Sequence, residues 1–418
     1  MLVIPAVTRG VKEDPLKAAI ISTGEELLTG ETTDTNSAWL AEALWAQGIE
    51  VRCMLTAGDD LAGLVWALEQ AAARAEIVVF TGGLGPTVDD RTAEALASWS
   101  QTELVLNETA MAQIEALYRS RGRVLNEANR KQAWLPEGAR ELENRWGSAP
   151  GIEVHHQGVR VFCLPGVPTE MRNMFDAYVV GSVCVEAAPQ LVRVRTFGCP
   201  ESRLAEIIGS IDLGSASLGF RAHIPEVQVK LLFSADTAAP EKESVVQRVE
   251  SALSRWVYNV DGGDLAETVV SELSASGETL SLAESCTAGL TSAWIADVPG
   301  SSAILDRGVV SYSNQSKIDL LGVSPTTLQE NGAVSEAVAR EMAEGVRSMA
   351  GTTWGVSLTG IAGPGGGSSE KPVGTVHIAV AGPGGVHHQH AVISGSRAQV
   401  RKRAAGAVLA LLLRTRRS

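Results

Sequence analysis

Ile77-Val78-Val79-Phe80-Thr81-Gly82-Gly83-Leu84-Gly85-Pro86-Thr87-Val88-Asp89-Asp90 runs five apolar or β-branched residues into a glycine turn, and a helical pattern begins near Thr92. So short an apolar run, closed by glycines, predicts a strand buried on both faces. Toward the N-terminus, Ala18–Thr23 reads as a similar strand stopped by Gly24. Thr35–Gln47 reads as a helix with Ala38, Leu40, Ala41 and Leu44 on one face, followed by strand Glu50–Leu55 and helix Leu61–Ala73. This β-α-β-α-β rhythm predicts a parallel sheet covered by helices, with ligands bound at the carboxyl ends of its strands. Toward the C-terminus, Val159–Leu164, the turn Pro165-Gly166-Val167-Pro168 and the helical Thr169–Tyr178 extend the same layer.

From about Leu191 the rhythm changes. Strand Val192–Phe197, helix Glu201–Ile211, strands near Leu218–His223 and Glu226–Ser234, and helix Glu241–Trp256 predict a small α+β module. It has no GxxG loop and no aromatics stacked on its strands, so a spacer or dimer element is expected rather than an RNA binder. A second α/β block begins near Asp264, with helix Leu265–Ser276 and strands Leu280–Ala283, Val309–Tyr312, Trp354–Thr359 and Thr375–Val380. The expected fold is α/β, two three-layer α/β domains joined by a small α+β module, with borders at 1–188, 189–262 and 263–418.

Composition agrees. The 418 residues are 45% hydrophobic and 20% charged, which excludes a disordered chain and, at roughly 150 residues per domain, implies two to three domains. With 35 basic against 48 acidic residues the net charge is −13, so nucleic acid is not an expected partner without a local basic patch. The longest apolar run, around Ala405–Leu413, is about half of the roughly 18 residues of a membrane span. Met1–Val7 is apolar but short and precedes Glu13 and Asp14, which does not read as a signal peptide. Five widely spaced cysteines without a CxxC pair argue against disulfides and a cysteine zinc site, and a cytoplasmic location is expected.

In the opening stretch, Gly82, Gly83 and Gly85 let backbone amides approach a phosphate at a helix start, with Thr87 beside them. Asp89 and Asp90 offer hard oxygen ligands for Mg²⁺ or Mn²⁺. The plainer alternative is that the aspartates cap the next helix. Gly24-Glu25-Glu26 ends the first strand and Asp34-Thr35-Asn36 heads the next helix, and a doubly wound sheet gathers all three segments at one edge. Gly24-Glu25-Glu26-Leu27-Leu28-Thr29-Gly30, Asp34-Thr35-Asn36, the GGLGPTxDD segment, Asn129–Ala133, Asn144, Gly147–Gly151 and Leu164–Thr169 resemble the molybdopterin-binding-like domain of the CinA (competence/damage-inducible protein A) family. The resemblance implies an ADP-ribose pyrophosphatase using Mg, Mn or Co, with potassium stimulation. Substrate would lie on Gly24, Glu25, Asn36 and the glycine turn, and metal on Asp34, Asp89 and Asp90. Metal and carboxylates together can neutralise a diphosphate and orient a water.

A second constellation lies in the last block. Ala283-Glu284-Ser285-Cys286-Thr287-Ala288-Gly289 places hydroxyls between a strand and a helix, where Ser285 or Thr287 could simply be an N-cap and Cys286 a small buried residue. Tyr312-Ser313-Asn314-Gln315-Ser316-Lys317 follows another strand, and Thr359-Gly360-Ile361-Ala362-Gly363-Pro364-Gly365 a third. Hydroxyl, amine and glycine-rich backbone at three strand ends suit a serine–lysine hydrolase. These residues resemble the C-terminal nicotinamide-mononucleotide (NMN) deamidase domain of the same family, from about 265 to 413. The resemblance implies Ser285 as nucleophile, Lys317 as base, Tyr312 as orienting or relay group and Thr359 as support. Gly360, Gly363 and Gly365 would contact substrate, Arg397 or Arg401 would hold its phosphate, and no metal would be needed. Moving any lysine from about 10.4 to the 7–8 suited to a base costs roughly 4 kcal/mol, so burial or a cationic neighbour is required. Two departures stand out: Ala288 where the family often has glycine, and Ser396 where an aspartate usually precedes Arg397.

The tail from Arg397 to Ser418 has seven basic residues and no acidic ones. Its apolar run Ala404–Leu413 predicts a core-facing helix with arginines at the favourable C-terminal end. The expected partners are NMN and ADP-ribose, with no membrane and a homodimeric state. The rival readings are a non-enzymatic competence or recombination partner and a molybdopterin-binding protein.

Overall fold

The computed structural model describes residues 16–183 and 189–418. Met1–Val7, Glu13, Asp14, Cys184 and the expected border at 188 lie outside the described residues. The chain divides into two compact units, the first running to Gln190 with Ser234–Asp236, the second comprising Leu191–Phe233 and Thr237–Ser418.

The first unit is built on a six-stranded sheet. Its strands are β1 (Lys17–Thr23), β2 (Glu50–Ala57), β3 (Ile77–Thr81), β6 (Arg140–Leu142), β7 (Gly151–His156) and β8 (Val159–Leu164), in the order β2-β1-β3-β8-β7-β6. A two-stranded ribbon of β4 (Leu104–Leu106) and β5 (Trp134–Pro136) stands apart. Alternate side chains of β1 and β3 serve two cores. Ala19, Ile21, Val78 and Phe80 pack with Leu64 and Leu68 of helix Leu61–Ala72, while Ala18, Ile20, Ile77 and Val79 pack with Leu40 and Leu44 of helix Thr35–Ala46. That division makes the three layers. The first four strands are parallel, as the β-α-β pattern predicts. The sheet as a whole is mixed, because β7 and β8 form a hairpin across Gln157-Gly158. Both turn residues have positive φ (49° and 83°), the geometry that matches strand twist in a two-residue loop.

In the second unit, β9 (Gln190–Phe197), β10 (Ser217–His223), β11 (Glu226–Phe233) and β12 (Val257–Val260) form a sheet ordered β10-β11-β9-β12. Helices Glu201–Ile208 and Ala239–Ala252 cover it through Leu204, Ile208, Val245 and Val249. A five-stranded sheet follows, with β13 (Leu280–Glu284), β14 (Leu305–Val310), β15 (Trp354–Gly360), β16 (Thr375–Gly382) and β17 (Gly385–Val392) in the order β14-β13-β15-β16-β17. β13 is parallel to both β14 and β15, whereas β16 and β17 run antiparallel. Helix Glu336–Ala350 packs on one face, and helices Leu265–Ser276 and Arg397–Arg417 on the other.

The last helix explains the apolar tail. Ala404–Leu413 is buried at every position, which a helix shows when apolar surfaces close on it from all sides. The sheet lies against one side. At Gly406 a Cβ would come within 2.7 Å of Phe197 and 2.9 Å of Pro225, so the module presses on the other. Arg416 pairs with Glu272 and Glu278, and Arg417 with Glu272, which ties the basic tail into the fold. Among the described residues no helix is long and apolar enough to cross a membrane. The four described cysteines are unpaired thiols.

Candidate active sites

In the first unit the loops after β1, β3 and β8 meet, because those strands are parallel neighbours. They enclose a cavity of about 550 Å³ that includes Gly24, Gly82, Gly83, Gly85, Thr87, Asp89 and Asp90. The glycines are required by backbone and space. Gly82 (φ 107°) lies where a Cβ would sit 2.7 Å from the Thr23 carbonyl, and Gly83 (φ 62°) faces the Thr92 hydroxyl. Neither aspartate caps the next helix, whose N-cap is Arg91 without a side-chain bond. Asp90 instead closes the turn, its Oδ2 accepting from Thr87 N (2.8 Å) and Thr87 Oγ1 (2.5 Å). Asp89, exposed on the cavity, makes no hydrogen bond or ion pair among the described residues.

Three expected residues stand elsewhere. Asp34 is the N-cap of helix Thr35–Ala46, its Oδ1 accepting from Ser37 N at 2.9 Å, and it does not line the cavity. Asn36 is a staple: its Nδ2 donates to Gly166 O (2.8 Å) and Thr81 Oγ1 (3.2 Å), tying two of the loops together. Glu25 also lies off the cavity wall, its backbone N donating to Asp59 Oδ2 at 3.2 Å, while Glu26 faces in. Sequence reasoning missed Glu26, Asp59, Gln132 and Glu170 as lining residues. Glu170 is set by Asn144, whose Nδ2 donates to it at 2.7 Å across 26 residues, a contact no local pattern signals. Among the described residues no three His, Cys, Asp or Glu side chains converge as a metal-binding group.

In the second unit the turns after β13, β14 and β15 come together for the same topological reason. β14 ends at Val310, two residues earlier than the periodicity predicts, so Ser311 and Tyr312 lie in the turn leading to helix Asn314–Leu321. That helix starts on a Ser313 capping box and carries Lys317 one turn in. Lys317 is 1% exposed, and its Nζ donates to Ser285 Oγ (3.1 Å), Ser311 O (2.8 Å) and Tyr312 O (3.4 Å). Burial pulls the Lys317 ammonium below the ordinary lysine value, opposed by Cys286. The adjacent carboxylate does not reverse this. Glu284 is fully buried and turned toward helix Leu290–Ala296, accepting from Thr291 N (3.1 Å), Ser292 N (2.8 Å) and Ser292 Oγ (2.7 Å). Lys317 is thus left with carbonyls and a hydroxyl, and no carboxylate partner among the described residues.

Ser285 is buried, and its N donates to Leu358 O of β15 at 2.9 Å. Cys286 is buried too, its thiol pushed up to about 11 by desolvation, which disfavours the thiolate. Ala288 carries φ 50°, a left-handed conformation that a glycine would hold without strain. Tyr312 is 59% exposed, and its hydroxyl accepts from Arg397 Nη2 at 3.1 Å rather than meeting Ser285 or Lys317. Arg397 also donates to Gly363 O (2.8 Å), so the third turn and Tyr312 orient it, while Ser396 caps its helix. Arg401 reaches Thr287 O (2.6 Å) behind the serine turn. Thr359 is buried and donates to Ala333 O (2.7 Å), anchoring the end of β15. Gly360 is fixed by the close approach of Thr375 O, 2.8 Å from its notional Cβ, and Gly365 stands open with nothing near. The buried hydroxyls of Thr287 and Ser311 have no hydrogen-bond partner among the described residues: neither Ser285 nor Thr287 is the N-cap of the following helix, which is Gly289, and Ser311 was not singled out by spacing.

A family model described as "CinA C-terminal domain" matches residues 263–416, and one described as "Probable molybdopterin binding domain" matches residues 19–184. The CinA-like protein of Anaeromyxobacter dehalogenans (strain 2CP-C) is 43% identical over 403 residues, covering 95% of this chain and 99% of that protein. The CinA-like protein of Anaeromyxobacter sp. (strain Fw109-5) is 42% identical over 404 residues, covering 95% and 98%. Among solved structures, the competence/damage inducible protein CihA of Agrobacterium tumefaciens is 40% identical, covers 37% of this chain and 94% of its own, and has a TM-score of 0.36.

Proposed function

The chain belongs to the CinA family and carries a molybdopterin-binding-like domain, and from that premise we propose that its second unit is an amidohydrolase converting NMN to nicotinic acid mononucleotide and ammonia. One observation carries the reading: a lysine 1% exposed, without a carboxylate partner among the described residues, holds its Nζ 3.1 Å from a serine Oγ. A hydroxyl paired with an amine depressed by burial is the arrangement a nucleophile and its base require. Ser285 Oγ attacks the carboxamide carbon and passes its proton to neutral Lys317 Nζ. The tetrahedral adduct collapses, the C–N bond breaks, and the Lys317 proton leaves with the amine as ammonia. Water then attacks the acyl-serine, Lys317 takes its proton and returns it to Ser285 Oγ, and the carboxylate product departs. Arg397, presented between Gly363 O and the Tyr312 hydroxyl, suits the substrate phosphate. The test is ammonia release from NMN by the purified chain. Ser285→Ala should abolish it, and substantial residual release would return the nucleophile to Cys286.

For the first unit we propose metal-dependent hydrolysis of ADP-ribose in the 550 Å³ cavity. Asp89, the free carboxylate on the glycine turn, would share a divalent cation with the diphosphate, which would neutralise the developing charge when bound. The backbone of Gly82, Gly83 and Gly85 would cradle the diphosphate, and Asp90 would hold the turn. The family-model description favours a second reading, pterin binding, which pterin retained through purification would support.

A further inference from the structure

A separate cavity, of about 480 Å³, opens within the second unit between the four-stranded module and the helices Leu265–Ser276, Leu290–Ala296 and Arg397–Arg417. Gln228, on β11, is one of its lining residues and is 6% exposed. Its Nε2 donates to Glu226 Oε1 at 2.7 Å, which fixes the amide's orientation and leaves Oε1 buried with no hydrogen-bond partner among the described residues. A buried carbonyl in that state is costly and calls for a donor. Glu226 cannot answer it, being an acceptor already engaged by Arg195 (2.8 Å) and the Tyr258 hydroxyl.

The rest of the lining sorts by what is already occupied. Asp264 and Glu267 satisfy each other's backbone in the capping box of helix Leu265–Ser276. Arg221, on the module, and Lys402, on the last helix, are exposed cations without an ion-pair partner among the described residues. Asp297, at the end of helix Leu290–Ala296, is a carboxylate in the same state. Trp294 and Pro225 also line it, contributing an indole and an apolar ring. Two cations, a free carboxylate, an indole and an unsatisfied carbonyl are the complement of one chemical class.

We propose that this cavity binds a nucleoside monophosphate whose base carries an amino N–H donor. The phosphate pairs with Arg221 and Lys402, ribose hydroxyls donate to Asp297, the base lies against Trp294 and Pro225, and its amino group donates to Gln228 Oε1. The volume falls within the roughly 300–1,000 Å³ usual for such ligands. Because Gln228 Oε1 and its neighbour Glu226 are acceptors, the site rejects a base that presents a carbonyl where the amino group should be. The proposal depends on neither activity assigned above.

AMP is the probe: it has neither a carboxamide nor a diphosphate bond and is inert to both proposed reactions. Because AMP is itself a product of ADP-ribose hydrolysis, binding is measured with EDTA present, which withholds the cation the first-unit site would use to hold a phosphate. Equilibrium dialysis with the full chain should give saturable binding. Arg221→Ala combined with Lys402→Ala should weaken it about tenfold or more, the loss of charge-assisted hydrogen bonds. IMP, with a carbonyl in place of the amino group, should bind about tenfold less tightly than AMP, and Gln228→Leu should erase that difference. Melting curves identify any variant that has not folded, and the AMP/IMP comparison on unaltered protein stands without variants. Arg397→Ala and Asp89→Asn should leave AMP binding unchanged. Absence of saturable AMP binding, equal binding of AMP and IMP, indifference to the Arg221/Lys402 pair, or loss on Arg397→Ala would each overturn the assignment.

Discussion

Replacing Lys317 by arginine separates a general base from a fixed cation. Lys317 Nζ lies 3.1 Å from Ser285 Oγ and 2.8 Å from Ser311 O, in a position 1% exposed. Arginine keeps the charge and the donors but not the capacity to accept a proton, because its guanidinium stays protonated throughout the working pH range. Catalysis would fall toward what binding and backbone donors supply alone, a loss on the order of 10³-fold or more in kcat/KM, or about 4 kcal/mol. Lys317→Met should lose as much activity yet melt no lower than Lys317→Arg, because methionine fills apolar space without burying a charge. The assay is ammonia release from NMN as a function of pH, with melting curves run in parallel. A base acts unprotonated, so wild-type kcat/KM should rise with pH through the lowered Lys317 value, with a midpoint below the ordinary 10.5. Neither variant should show that limb. If Lys317→Arg kept a tenth or more of wild-type kcat/KM, the lysine would be a substrate-binding cation and the proposed mechanism would fail.

Chelation should stop ADP-ribose cleavage and spare NMN deamidation, and Asp89→Asn should mimic the chelator in the first assay alone; parallel loss and recovery of both activities would instead require a shared site. Ala288→Gly should stabilise the second unit by about 0.5–1 kcal/mol, relief of the left-handed φ of 50° outweighing glycine's greater freedom when unfolded. Its melting temperature should rise by roughly 1–3 °C, and a fall would show that the turn holds alanine without strain. His377, stacked on His388 and His390, is held down to about 4 by burial and by those two neighbours. Its folded value lies below the ordinary 6.5, so the unfolded chain takes up the proton first, and stability present above pH 6.5 is lost as pH falls toward 4. His377→Gln should flatten the melting temperature against pH in that window, and an unchanged slope would place the acid sensitivity elsewhere.

Sequence alone determined the parts whose causes are local. Buried strands closed by glycines, the helix start at Thr92, and the placement of Ser285, Lys317 and the two glycine-rich turns at strand ends are set within a few residues. The Ser285–Lys317 pair was legible because parallel strands put their carboxyl ends at one edge, and because the motifs resemble a known family. Other features depend on partners far away in the chain. Asp34 looked like a metal ligand until the fold made it a helix cap, and Asn36 became a staple only when β3 and β8 paired and brought Gly166 to it. Strand β17 carries His387, His388 and His390 at an exposed sheet edge and so lacks the apolar signature that betrays a buried strand. Ala404–Leu413 announced a buried helix, but not what buries it; that was decided when the module's Phe197 and Pro225 closed against Gly406. The lowered pKa of Lys317 belongs to the same class, because desolvation comes from surrounding chain rather than from its sequence neighbours, and because Glu284 turns its carboxylate toward the following helix. Local sequence sets backbone preference and offers functional groups; close packing of distant segments decides which are desolvated, which are already satisfied, and which remain free to act.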